Sequence, residues 1–210
     1  MLIRFLAVGA LAAFGAEIPV WGQVTVYNSF GAGNSYNTGI VWAVGGASAP
    51  SGYRGQAEFF VPGVSGYLSA VQLATEHLSG SALSNFYITA DNGSGTPGTV
   101  LESFLGIQNP NGLLTLNSTV EPLLQAGATY WLCDEPATDT SYNGWFENSQ
   151  NVDNSFAYER SEWGWSSVPG GGPANGVFRV TVTPVPEPTS LAIVAGGLAL
   201  LALLIRKTDY

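Results

Sequence analysis

The chain has 210 residues, of which only 10% are charged and 46% are hydrophobic, with 27 glycines and 12 prolines. An ordinary cytosolic domain has about a quarter of its residues charged, and this composition departs from it. Between residues 23 and 183, three arginines (Arg54, Arg160 and Arg179) face twelve Asp and Glu, a net charge of 3 − 12 = −9 with no lysine. Nucleic-acid binders carry a basic patch, so nucleic acid is excluded as a partner and anionic lipid headgroups are disfavoured.

The N-terminus carries Arg4 and then the apolar stretch Phe5 to Phe14, the charged and apolar parts of a secretory signal peptide. About ten apolar residues are too few to span a bilayer of ~30 Å, and Pro19 stops any extension. Cleavage after Gly22 puts Val20 and Gly22 at the −3 and −1 positions, where small residues are required. A cut after Ala16 fits less well, because it would place Phe14 at −3. The expectation is a signal peptide over 1–22 and an exported domain over 23–183.

That domain alternates short β-rich runs with Gly, Pro, Asn and Ser. The runs are 24–27, 40–44, 57–61, 67–74, 85–90, 99–105, 113–116, 129–133, 144–147, 157–160 and 177–182. Period-two runs bounded by turn residues are strands, and no stretch shows a helical apolar face. The chain is predicted to be all-β, a β-sandwich of jelly-roll-like form. Asp91-Asn92-Gly93-Ser94-Gly95 reads as a hairpin turn, with Asn-Gly supplying the positive φ that a tight turn requires. It offers oxygen atoms to calcium but lacks the alternating acids of an EF-hand loop.

After a linker at 184–190, residues 191–205 contain no polar side chain, and Arg206 and Lys207 follow. Fifteen residues at ~1.5 Å rise span about 22 Å, a short transmembrane helix. The basic tail 206–210 is expected on the cytoplasmic side. Pro186-Glu187-Pro188, the apolar run and the basic pair together resemble the PEP-CTERM sorting signal of Gram-negative bacteria. The resemblance implies recognition and removal of the tail by an exosortase-type membrane protease. The protein would be held in the membrane before processing and then released to the cell surface or the extracellular space. A second resemblance covers most of residues 24–182. Phe30-Gly31, Ala57-Glu58-Phe59-Phe60-Val61, Gly95-Thr96-Pro97-Gly98-Thr99-Val100-Leu101 and Ala126-Gly127-Ala128-Thr129-Tyr130-Trp131-Leu132 are similar to the choice-of-anchor R type of exported domain. That family brings no catalytic residues with it.

The search for chemistry gives little. Cys133 is the only cysteine and reads as a small buried hydrophobe on a strand. His77 is the only histidine and reads as a solvated loop residue. Glycoside hydrolysis needs a carboxyl pair. The candidates are Asp134 with Glu135, Glu147, Asp153, and Glu159 with Glu162, and no pair stands out. Neither a metal nor a cofactor is expected. The richest segment is aromatic: Tyr142, Trp145, Phe146, Phe156, Tyr158, Trp163 and Trp165 interleave with amides and acids. Such rings either build a β-sandwich core or meet the flat faces of sugars.

The leading expectation is a non-catalytic structural or adhesive protein of the cell surface or extracellular matrix. One alternative is a carbohydrate-binding module for extracellular polysaccharide that uses Tyr142, Trp145, Trp163 and Trp165. The other is a carboxylate-dependent glycoside hydrolase.

Overall fold

A computed structural model describes residues 22–152, 156–160, 164–168 and 175–185. Residues 1–21 of the expected signal peptide, Pro186-Glu187-Pro188, the apolar run 191–205, Arg206 and Lys207 lie outside the described residues. So does Trp163.

The described chain is all-β and forms two antiparallel sheets packed as a sandwich. The strands are β1 (Val24–Asn28), β2 (Asn37–Gly45), β3 (Gly55–Phe60), β4 (Gly66–Gly80), β5 (Leu83–Asp91), β6 (Pro97–Gln108), β7 (Gly112–Asn117), β8 (Leu123–Leu124), β9 (Tyr130–Pro136), β10 (Ser141–Glu147), β11 (Phe156–Arg160), β12 (Gly164–Val168) and β13 (Phe178–Pro184). Each run that the sequence marks as β lies on one of them. The two-residue β8 and the edge strand β12 are additions, and β4 and β6 run longer than their patterns suggest.

The fifteen-residue β4 is the spine of the seven-stranded sheet. Along one edge it pairs with β13 and then β10, and along the other with β8 and then β7. Beyond these, β1 pairs with β13 and β2 with β10. Leu68 and Val71 both reach the core although they are three apart, because a bulge opposite Thr181/Val182 resets the alternation. The extension of β4 to pair with β10 also corrects the expectation for His77, which sits on a strand and not in a loop. Its backbone N–H donates to Asn111 Oδ1 (2.9 Å), and its Nδ1 lies 3.2 Å from Asn143 Oδ1.

The six-stranded sheet runs β12-β11-β3-β9-β5-β6. Phe60, Phe86, Ile88, Tyr130 and Leu132 point from it toward Leu68, Val71, Trp145, Phe178 and Val180 of the other sheet, and together they form the main core. The ring of Phe178 contacts Tyr27, Phe60 and Trp145 with centroids 4.5, 5.9 and 5.7 Å away. At one end a polar knot joins the sheets: Asn109 and Asn143 both donate to the Ser84 hydroxyl, at 2.9 and 3.2 Å. Buried Asp134 lies on the same inward side of β9.

Candidate functional site

The outer face of a sandwich sheet ordinarily meets water and is polar. Here the outward side of the six-stranded sheet is apolar and covered. Trp131 and Cys133 are each 1% exposed and Ala57 and Ala157 are 0% exposed, in a cluster separate from the main core.

Register explains how that face is built. One row across it reads Val100–Thr89–Trp131–Phe59. The next reads Ser103–Tyr87–Cys133–Ala57–Ala157–Ser167. The third runs from Glu135 past Gly55 to Glu159 and Trp165. Small side chains thus fill the middle row from Cys133 onward, and bulky rings flank it.

The face is concave. β6 and β12 are opposite edges of the sheet, yet Pro97 and Val100 from one and Trp165 from the other line a single depression of ≈ 310 Å³. Beside it lies a depression of ≈ 340 Å³, bounded by Ser94 and Gly95 of the β5–β6 turn, Ser167 of β12, and Phe59 and Trp131 on the floor. Both volumes fall in the range of small-ligand sites. Together they make a groove along β9, where Thr129, Trp131, Cys133 and Glu135 all face outward, a path of about 20 Å at strand rise.

The turn that walls the groove is held rigidly. Asp91 accepts from Gly93 N–H (2.7 Å) through one carboxylate oxygen and from Trp131 Nε1–H (2.9 Å) through the other. Asn92 closes the loop with a backbone bond to Thr96 (3.0 Å). The tight hairpin expected from the sequence is present, and the Asp91 carboxylate serves as a brace for the Trp131 indole. Among the described residues, no group of three or more His, Cys, Asp and Glu could hold a metal ion.

The electrostatics of the groove are one-sided. Burial, with Glu159 close by, pushes the Glu135 carboxyl up to about 7. Burial and the same two acids raise Tyr53, whose hydroxyl donates to Glu159 Oε2 (3.1 Å). Burial and Glu135 raise Tyr87, and burial pushes the Cys133 thiol well up, leaving it a neutral, inert floor atom. The Thr89 hydroxyl is 98% buried (2% exposed), lines the smaller depression, and has no hydrogen-bond partner among the described residues. The Cys133 thiol beside it is a weak partner outside hydrogen-bonding geometry. Neutral buried polar groups are nearly always bonded, so this hydroxyl stands out.

The aromatic segment singled out in the sequence is divided by the fold. Trp165 lies half-buried on the groove, with its ring edge against Gly55, 3.3 Å from where a Cβ would stand. Tyr142 is half-buried on β10, in the other sheet. Trp145 is fully buried in the core, with Nε1–H donating to the Val177 carbonyl (2.9 Å), so it has no face for a ligand. Of the three expected contact residues that are described, the groove holds Trp165. Phe59, Thr89, Tyr87 and Trp131 were absent from that expectation. A signal for them exists in Tyr130-Trp131-Leu132-Cys133, which is apolar at both phases of a strand. Such a run means that both faces are covered.

No protein-family model matches the chain, and no curated protein matches it.

Proposed function

We propose that the chain is an exported protein, delivered by its C-terminal tail to the cell surface or extracellular matrix, where it has a non-catalytic adhesive role. It holds extracellular polysaccharide in the concave face of its six-stranded sheet. The observation that carries this reading is the concave face itself, where the partly exposed rings of Phe59, Tyr87 and Trp165 line two adjoining depressions beside Glu135. Aromatic planes beside hydroxyl and carboxyl groups suit a sugar ring and its hydroxyls. The jelly-roll-like form of the sandwich belongs to the same reading, as do the exosortase-type protease as processing partner and the membrane as a station before processing.

A hydrolase draws less support. Glu135 and Glu159 share the face, but the rim of the Trp165 indole rests on Gly55 between them, where a scissile bond would have to lie.

Two experiments test the reading. Residues 184–210 fused to a secreted reporter should cause membrane-dependent processing in a Gram-negative host that has an exosortase, and none in a host lacking it. Identical fates in the two hosts would refute the sorting role. For the groove, Trp165→Ala should weaken co-sedimentation with polysaccharide roughly tenfold or more, as expected for a central aromatic anchor, with the far-ultraviolet spectrum unchanged. Unchanged sedimentation would remove the groove from the proposal.

A further inference from the structure

The three described arginines all lie away from the groove. Arg179 is on the seven-stranded sheet, bonded to Asn34 and Gln72 with its guanidinium over the Phe30 ring. Arg160 lies over Tyr158, 5.4 Å from the ring centroid. Arg54 lines a different depression, with Trp42, Gln56, Phe156 and Tyr158. The groove itself carries Glu135 on its wall and Glu159 in the same lateral row. No arginine or lysine among the described residues forms an ion pair with either acid. Burial without a counterion makes Glu135 costly to ionise, and a ligand cation lowers that cost. The Trp165 indole and the Tyr87 ring line the depression that Glu135 walls, and aromatic faces attract a cation. The Thr89 side chain on the floor is buried, and its hydroxyl has no partner in hydrogen-bonding geometry among the described residues.

We propose that the groove selects a polysaccharide whose sugars bear free amino groups, binding a protonated amine at Glu135 beside the Trp165 indole. This rests on the polysaccharide reading above and narrows it: acidic chains are repelled, and uncharged chains gain only the aromatic and hydroxyl contacts. Binding draws protons off Glu135, whose carboxyl burial and Glu159 hold near 7.

Titration calorimetry of the full-length chain at pH 6 and low salt tests the proposal, with four probes. These are a fully N-acetylated hexosamine oligomer, its partly de-N-acetylated counterpart, an uncharged glucan of the same length and a polyuronate. The de-N-acetylated oligomer should bind roughly tenfold more tightly than the acetylated one, as one charge-assisted contact supplies, and 0.5 M salt should erase most of that preference. Glu135→Gln, which keeps size and removes charge, should abolish the preference, so that the two hexosamine oligomers bind with equal affinity. Equal affinity for the two hexosamine oligomers, or tighter binding of glucan or polyuronate, would overturn the amine preference and leave the polysaccharide reading standing. Binding to none of the four would overturn both.

Discussion

Trp145→Ala is expected to lose about 3–5 kcal/mol of stability, the range for deleting a fully buried large aromatic side chain. That is a large share of the 5–15 kcal/mol that holds a typical domain folded. The indole is completely buried, stands edge-on to Phe178 at 66°, and donates its N–H to the Val177 carbonyl. The backbone of Gly176 lies so close that a Cβ there would come within 2.7 Å of the ring. Truncation therefore opens a cavity that the neighbouring glycine cannot fill, and it leaves a buried carbonyl without its donor. Urea unfolding reads the loss directly. Trp165→Ala, on a half-buried ring at the sheet edge, should cost only about 1 kcal/mol and be felt in binding. If the two substitutions shifted the unfolding midpoint equally, the division between core and groove tryptophans would be refuted.

The second large effect is a pH dependence of stability. Asp134 is fully buried on the inward side of β9, and neither carboxyl oxygen has a partner in hydrogen-bonding geometry among the described residues. Burial pushes its carboxyl up to about 8, eased only in part by the nearby Ser84 hydroxyl. In the unfolded chain the same group titrates near ~4. Between those values the unfolded state has released the proton and the folded state keeps it, so stability falls as pH rises from about 4 to about 8 and then levels off. The folded protein should accordingly be more stable at pH 5 than at pH 8, by an amount on the order of a few kcal/mol. Glu135, pushed up to about 7, adds to the same slope with less weight because it is partly exposed. Asp134→Asn stays neutral throughout, so it should flatten most of the slope and exceed the parent in stability at pH 8. Denaturant titrations at pH 5, 6.5 and 8 decide the matter. A parent protein equally stable at all three values would contradict the buried, neutral Asp134.

Much of the fold was legible because strand alternation is a local property. Asn85-Phe86-Tyr87-Ile88-Thr89-Ala90 shows its inward Phe86 and Ile88 at period two, and the turn at Asn92-Gly93 shows its positive φ in residue type alone. The extended end of β4 was not legible. Thr75 to Gly80 carries Glu76, His77 and Ser79, polar residues that stay in strand geometry only because β10 supplies their hydrogen-bond partners. The site was still less legible. Glu135 and Glu159 are 24 positions apart, and only the pairing of β9 and β11 on either side of β3 brings them into one row. Trp145 and Trp165 look alike in sequence, each among amides and acids. A one-residue change of phase on a strand decides whether a ring points to the core or to water, and that phase is set by register with distant strands.

From the sequence alone follow the all-β class, the acidic and lysine-free composition of residues 23–183, the hairpin at Asp91, and the likeness of the two ends to export and sorting signals. These depend on residue type and short-range spacing. The tertiary structure decided which sheet curls, which tryptophan is core, and that Phe59, Thr89, Trp131, Glu135 and Trp165 share one concave face. Strand pairing across the chain makes that choice, because only long-range register puts the small side chains of Cys133, Ala57 and Ala157 in one row. That row leaves a hollow between the rings.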